Sequence, residues 1–337
     1  MSKPILPDES LPRREPAAQV KFFADFYRRA TNPVAIAWFR ARVRDLSLHF
    51  SDDELTVLAA LDTPDKVQEF LNTQIYYNND HASVELEETA MPPRRVLQTG
   101  IAHCFEGALF AYAVNFLHGH DPRLVLLEAC QDSEHNLVVC QDPRTGLFGC
   151  NAHSAFPNLD GRPAQYRTIR AMAESFVPYY YSDRTHDPND LTLVGYSEPF
   201  DLIAKFGTAW IASEEHLWDI YYTYIDDTWR FHYLGDDSDE THLYPVVHAL
   251  KEGWIQFDSG GKPSISVCDL PTGAEDLWNR FWRAHPDRNT RPSGRAREIE
   301  KQFMQLTGTT PIDLIDNADD LIYFLAAGYR VGQIVKK

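Results

Sequence analysis

Across positions 105–117 every residue is apolar or small except Glu106 and Asn115, a pattern that predicts a helix enclosed on most of its circumference. Thr99 and Gly100 suit the residues just outside its start, and His118-Gly119-His120-Asp121-Pro122 carries the Gly and Pro of a stop. Cys104 then falls in the first turn. There, unpaired backbone N–H groups and the positive end of the helix dipole favour the thiolate.

The spacing of apolar positions predicts the elements on either side. Residues 1–16, with four prolines among charges, read as a loosely ordered lead-in. Residues 17–60 form an N-terminal helical region in which Phe22, Phe23, Phe26 and Tyr27 belong to one helix and Ala35, Trp38, Phe39 and Val43 to the next. Thr63 and Pro64 start a further helix with Val67, Phe70 and Leu71 on its apolar face. Positions 76–93 read as a loop leading to the cysteine helix.

Beyond that helix the period changes. Positions 123–129, 135–140 and 146–152 are short runs suited to buried strands, and the turn signature at 142–146 predicts an antiparallel hairpin between the last two. Positions 166–181 return to helix, followed by a polar loop at 183–189. After Leu193 the chain is expected to be mostly helical, in spans 214–229, 243–252, 275–284, 296–306 and 318–329, with the linker at 258–263. The expected fold class is α+β: a nucleophile helix packed on a small antiparallel sheet, a core over 61–200, and a mostly helical region over 201–337. Trp210, Trp218, Trp229, Trp254, Trp278 and Trp282 make the last region too aromatic for a solvated tail.

Composition narrows the partners. A chain of 337 residues with 44% apolar content can build one large domain with additions, or two domains. A net charge of −17 repels phosphate backbones and anionic lipid, so neither nucleic acid nor a membrane surface is an expected partner. The first ten residues lack the apolar run of a signal peptide, and no stretch approaches the roughly 20 apolar residues of a membrane span, so a cytoplasmic location is expected. The five cysteines (104, 130, 140, 150 and 268) are odd in number and widely spaced, as expected of reduced thiols. Gaps of ten residues between Cys130, Cys140 and Cys150 do not resemble paired zinc ligands, and neither a metal nor a cofactor is expected.

A cysteine on a helix, a strand opening with His135, and a hairpin partner carrying an amide or carboxylate make the set that a thiol protease or acyltransferase needs. The imidazole takes the thiol proton, and the third residue holds it in its useful tautomer. With a turn centred on Arg144 and Thr145, His135 lies opposite residues 152–154 and neighbours 151. That brings Asn151, His153 and Ser154 within reach. Asn151 is favoured because its side-chain carbonyl can accept from an imidazole N–H; Asp142 and Asp132 are rivals. His103 adjoins the thiol but is set aside, since neighbouring side chains on a helix diverge. Glu106 is expected to cap the helix start or bond a nearby backbone. The backbone N–H of Cys104 is the first oxyanion donor, and Gln98 a second candidate.

The run Pro92-Pro93-Arg94-Arg95-Val96-Leu97 leading into Gly100-Ile101-Ala102-His103-Cys104-Phe105-Glu106-Gly107-Ala108-Leu109-Phe110-Ala111, with the His135 strand and the Phe148-Gly149 strand, resembles bacterial members of the transglutaminase-like superfamily. The resemblance runs from about Leu61 to about Ser197, roughly two fifths of the chain. It implies a papain-like α+β fold with Cys104 as nucleophile and His135 as base, and the position of Gln98 before the cysteine is similar to that of a papain-like oxyanion glutamine. The usual third residue in that superfamily is aspartate, where this chain offers Asn151. The function so implied is acyl transfer through a Cys104 thioester, from a peptide, protein or small acyl donor to an amine. Hydrolysis by a peptidase or amidase of the same fold is the alternative, and a binding module that has lost catalysis is a second.

Overall fold

The structure, a computed structural model, describes residues 14–29, 31–78, 89–129, 132–156, 158–181, 191–227, 231–234, 249–250, 252–257, 262–288, 292–312, 314–315 and 318. The expected lead-in over 1–16 lies almost wholly outside these residues, as do Cys130, the polar loop at 183–189, most of 243–252 and nearly all of 318–329. The chain divides into two compact units, Met1–Leu234 and Gly235–Lys337.

The first unit opens with four helices: α1 (Pro16–Tyr27), α2 (Pro33–Asp45), α3 (Asp52–Ala60) and α4 (Pro64–Gln74). Local chemistry starts three of them. The Asn32 side chain accepts from Val34 N ahead of α2, and Thr63 accepts from Lys66 N ahead of α4. Ser51 and Glu54 form a reciprocal capping box at α3. That helix falls within the N-terminal region but was not expected as a separate element.

The approach to the cysteine helix differs from the expected loop. Strand β1 (Tyr76–Tyr77) pairs in parallel with β2 (Ile101–Ala102), and the short helix α5 (Pro93–Thr99) lies between them in sequence. Gly100, at φ 71°, ends α5 with its N–H on the Val96 carbonyl. Thr99 and Gly100 therefore close α5 rather than precede the cysteine helix. That helix, α6 (Cys104–Leu117), has His103 as its N-cap, and all its residues except Cys104 and Phe116 are buried.

Helix α6 packs on a six-stranded antiparallel sheet of β3 (Arg123–Ala129), β4 (His135–Gln141), β5 (Phe148–Ala152), β6 (Arg162–Tyr166), β7 (Leu193–Ser197) and β8 (Phe231–Tyr233), in the order β6-β5-β4-β3-β7-β8. The fold is thus α+β with an antiparallel sheet. Alternation along the strands feeds two cores. Leu124, Leu126, Val138 and Cys140 join the residues of α6, whereas Val125, Leu127, Leu137 and Val139 join Met172 and Ala173 of α7 (Ile169–Glu174). The unit is completed by α8 (Leu202–Phe206) and α9 (Trp218–Asp227), whose Ile220 and Tyr224 are part of the first core.

Two stretches outside the expected spans form strands: residues 162–166, just ahead of the helix expected from 166, pair at the sheet edge with β5, and residues 193–197, at the head of the region expected to be mostly helical, pair with β3. The helix expected over 166–181 is helical only from Ile169 to Glu174, after a Thr168 cap, and again as one 3₁₀ turn at Val177–Tyr179.

In the second unit β9 (Ile255–Phe257) and β10 (Pro263–Ile265) pair antiparallel; of the stretch expected as a linker, residues 258–261 lie outside the described residues and Pro263 opens β10. Helices α10 (Ala274–Ala284) and α11 (Arg295–Thr307) pack together through Trp278, Phe281 and Phe303. The Trp278 and Phe303 ring centroids are 5.9 Å apart. Among the described residues no helix is long and apolar enough to cross a membrane.

Candidate active site

Cys104 is the first residue of α6, at the positive end of a buried helix, and is partly exposed. Burial pushes the Cys140 and Cys150 thiols up to about 12. Desolvation acts on Cys104 in the same direction, but hydrogen bonds from His103 and His135 and the electrostatic attraction of those side chains overcome it, holding this thiol well below the ordinary range.

His103 reaches the thiol because it is the N-cap and lies outside the helix, with φ −89° and ψ −174°. The divergence of neighbouring helical side chains, which set it aside on sequence, does not apply to a residue in that backbone conformation. Its Nε2 donates to the Thr89 carbonyl at 2.7 Å and lies 3.6 Å from Glu106 Oε1. Burial opposes a charge on this ring, but Glu106, the Cys104 sulfur and the Thr89 carbonyl outweigh it and push the imidazolium up to about 10. The 3.3 Å contact from Phe105 N to Nδ1 belongs to the neutral ring; in the imidazolium Nδ1 is a donor, and the sulfur is its acceptor.

Glu106 is fully buried and bonded on both oxygens. Oε1 accepts from Met91 N and Thr89 Oγ1, both at 2.7 Å, and Oε2 accepts from His103 N at 3.1 Å. It therefore caps the helix and bonds neighbouring backbone, and also faces the His103 ring with a carboxylate.

His135 opens β4, paired with Leu127 of β3 and lying beyond the last pair with β5. It is buried, and its Nε2 bonds the Leu159 carbonyl at 2.8 Å, leaving Nδ1 for the sulfur.

Asn151 is not brought to His135. It pairs with Val138, three positions along β4 and of opposite parity, and therefore on the other face of the sheet. Its Oδ1 accepts from Asn115 Nδ2 at 2.8 Å, and its own Nδ2 donates to the Pro64 carbonyl at 2.8 Å and to Gln68 Oε1 at 3.3 Å. The hairpin register places residue 154 nearest to opposite His135, and the alternation of faces puts Asn151 on the other side of the sheet. The rivals also bond elsewhere: His153 to the Tyr76 carbonyl, Ser154 to Phe156 N, Asp142 to Arg144 N and Asp132 to Thr192 Oγ1. Gln98, the oxyanion candidate, donates to Glu214 Oε1 at 3.4 Å.

Another amide does lie at the thiol. Asn136 is 4% exposed, and its Nδ2 is 3.6 Å from Cys104 Sγ. Its Oδ1 is buried and has no hydrogen-bond partner among the described residues. An amide beside the histidine that opens the strand is the sequence signal for it; for His103 the signal is the capping-box spacing to Glu106. The Leu159 carbonyl had none.

Three further groups are coupled electrostatically to the sulfur. Glu134 is an exposed residue whose carboxyl group is crowded by protein atoms, and this desolvation, together with charge on Cys104, raises its proton affinity. Tyr180 and Tyr224 are buried and held far above the ordinary phenol range by desolvation, and then by negative charges that include Glu134 and Cys104. No protein-family model matches the chain, and no curated protein matches its sequence.

Proposed function

We propose that the protein transfers an acyl group through a thioester on Cys104, as a papain-like, transglutaminase-like cysteine enzyme. The observation that carries this reading is the Cys104 sulfur, favoured as thiolate at a helix N-terminus, hydrogen-bonded by two imidazoles and approached by the Asn136 amide at 3.6 Å. The packing of α6 against an antiparallel sheet that opens one strand with His135 supports the papain-like assignment.

The reaction follows from these positions. The thiolate attacks the carbonyl carbon of an acyl donor R–CO–X, and a C–S bond forms. The oxyanion takes hydrogen bonds from the Cys104 backbone N–H and Asn136 Nδ2, in the role first given to Gln98. The C–X bond breaks as His135 gives its proton to X. His135 then takes a proton from the acceptor H–Y, Y attacks the thioester carbon, and the C–S bond breaks to restore the thiolate. The Leu159 carbonyl fixes the tautomer of His135, in the role first given to Asn151. With an amine as H–Y the product is an amide; with water it is an acid.

Incubation with p-nitrophenyl esters tests the reading. The expected result is a burst of one nitrophenolate per chain and an acyl mass on the Cys104 peptide, which a primary amine discharges faster than buffer does. The absence of both burst and acyl mass overturns it.

A further inference from the structure

Cys104 has two histidines at its sulfur where a thiol enzyme needs one, and their surroundings differ. His103 is fixed from all sides: its backbone N–H is held by Glu106 Oε2 at 3.1 Å, its Nε2 by the Thr89 carbonyl at 2.7 Å, and a carboxylate lies 3.6 Å from the same nitrogen. That carboxylate is anchored in turn by Met91 N and Thr89 Oγ1, so Glu106 cannot swing away without breaking two further bonds. Among the described residues His135 has one neutral carbonyl, that of Leu159, and no carboxylate bonded to its ring.

We infer that the two imidazoles divide the work: His103 is the standing imidazolium that holds Cys104 as a thiolate, and His135 alone carries the proton that moves between leaving group and acceptor. The inference rests on the acyl-transfer reading and deepens it. The thiol proton resides on His103 Nδ1 throughout the cycle. His135 takes its own proton from solvent, gives it to X, and recovers one from H–Y, so R–CO–X and H–Y give R–CO–Y and H–X with both rings returned to their starting state. Burial works against the His103 charge, and Glu106, the thiolate and the Thr89 carbonyl sustain it up to about pH 10. The other titratable groups that interact electrostatically with Cys104 are His135 at the start of β4, Glu134 just before it, Tyr180 from the turn after α7, and Tyr224 from α9.

The test is the pH dependence of iodoacetamide alkylation at Cys104, read by peptide mass spectrometry in the wild type, His103→Gln and His135→Gln, beside the ester assay. His103→Gln is expected to raise the alkylation midpoint by about 1–3 pH units, towards the ordinary thiol. His135→Gln removes the lesser of the two histidine contributions and is expected to raise the midpoint by less than His103→Gln does, while slowing acyl transfer about 10²–10⁴-fold. A midpoint that moves equally in both variants, or only in His135→Gln, overturns the division. The acyl-transfer reading fails separately, when the wild type alkylates at low pH but never acquires an acyl group. His103 is a cap, so its variant is paired with a measurement on the unmodified protein: imidazole ¹⁵N shifts at pH 8.5 are expected to show one doubly protonated ring, lost in Cys104→Ala. A spectrum in which every ring is neutral at pH 8.5 overturns the inference.

Discussion

The Asn136 side-chain nitrogen lies 3.6 Å from the Cys104 sulfur, and the oxygen of the same amide is buried with no hydrogen-bond partner among the described residues. The nitrogen must face a sulfur that is an acceptor, which directs the oxygen elsewhere. A buried acceptor left unpaired costs about 1–3 kcal/mol, and sites that retain such groups are disproportionately functional.

Asn136→Ala is expected to slow acylation by p-nitrophenyl esters about 10²–10³-fold, the usual loss of one oxyanion donor. Asn136→Asp places a carboxylate beside the thiolate and is expected to raise the alkylation midpoint of Cys104 as well, because a like charge disfavours the ionised form. Stopped-flow acylation and alkylation profiles separate the two effects.

Asn151 has the opposite signature. Its amide ties α6 through Asn115 and α4 through Pro64 and Gln68. Asn151→Ala removes these three hydrogen bonds and is expected to cost about 1–3 kcal/mol in urea unfolding. The alkylation midpoint of Cys104 in the folded fraction is expected to stay where it is.

The closeness of α6 to the sheet is tested at Gly107, where an added Cβ would lie 2.6 Å from His153 Cβ. Gly107→Ala gains helix propensity but forces α6 away from the strand end, and a net loss of about 1–3 kcal/mol is expected by thermal or urea unfolding.

Two histidines give stability opposite dependences on pH. His118, bonded through Nε2 to the Leu58 carbonyl and packed on Trp38 and Phe39, has its folded-state pKa lowered by burial. Its contribution is complete above the unfolded value of about 6.5 and is lost as pH falls through the lower folded value. His103 is raised to about 10, so its contribution is complete below about 6.5 and is lost as pH rises through about 10. Urea midpoints measured from pH 5 to 10.5 are expected to fall at both ends, with His118→Gln flattening the acid limb and His103→Gln the alkaline one.

The parts of the fold legible in the sequence are those encoded over a few residues. The apolar run of α6, the Thr63-Pro64 start of α4 and the turn signature before Gly146 each specify an element locally. Strands β6 and β7 do not, because their pairing with β5 and β3 is set by residues far along the chain. The site divides in the same way. A thiol in a first helical turn and a histidine opening a strand can be read from order and spacing. The groups that tune them, Thr89 and Glu106 on His103 and the Leu159 carbonyl on His135, meet through the tertiary fold. Asn151 was misassigned because hairpin register alone says which residues are opposite, and the alternation of faces decides which can touch.

The most direct test of an activated Cys104 is the pH profile of its alkylation in the wild-type protein, read on the Cys104 peptide by mass spectrometry. The predicted midpoint lies well below the ordinary thiol value of about 8.5. A Cys104 midpoint at or above that value would contradict an activated thiol.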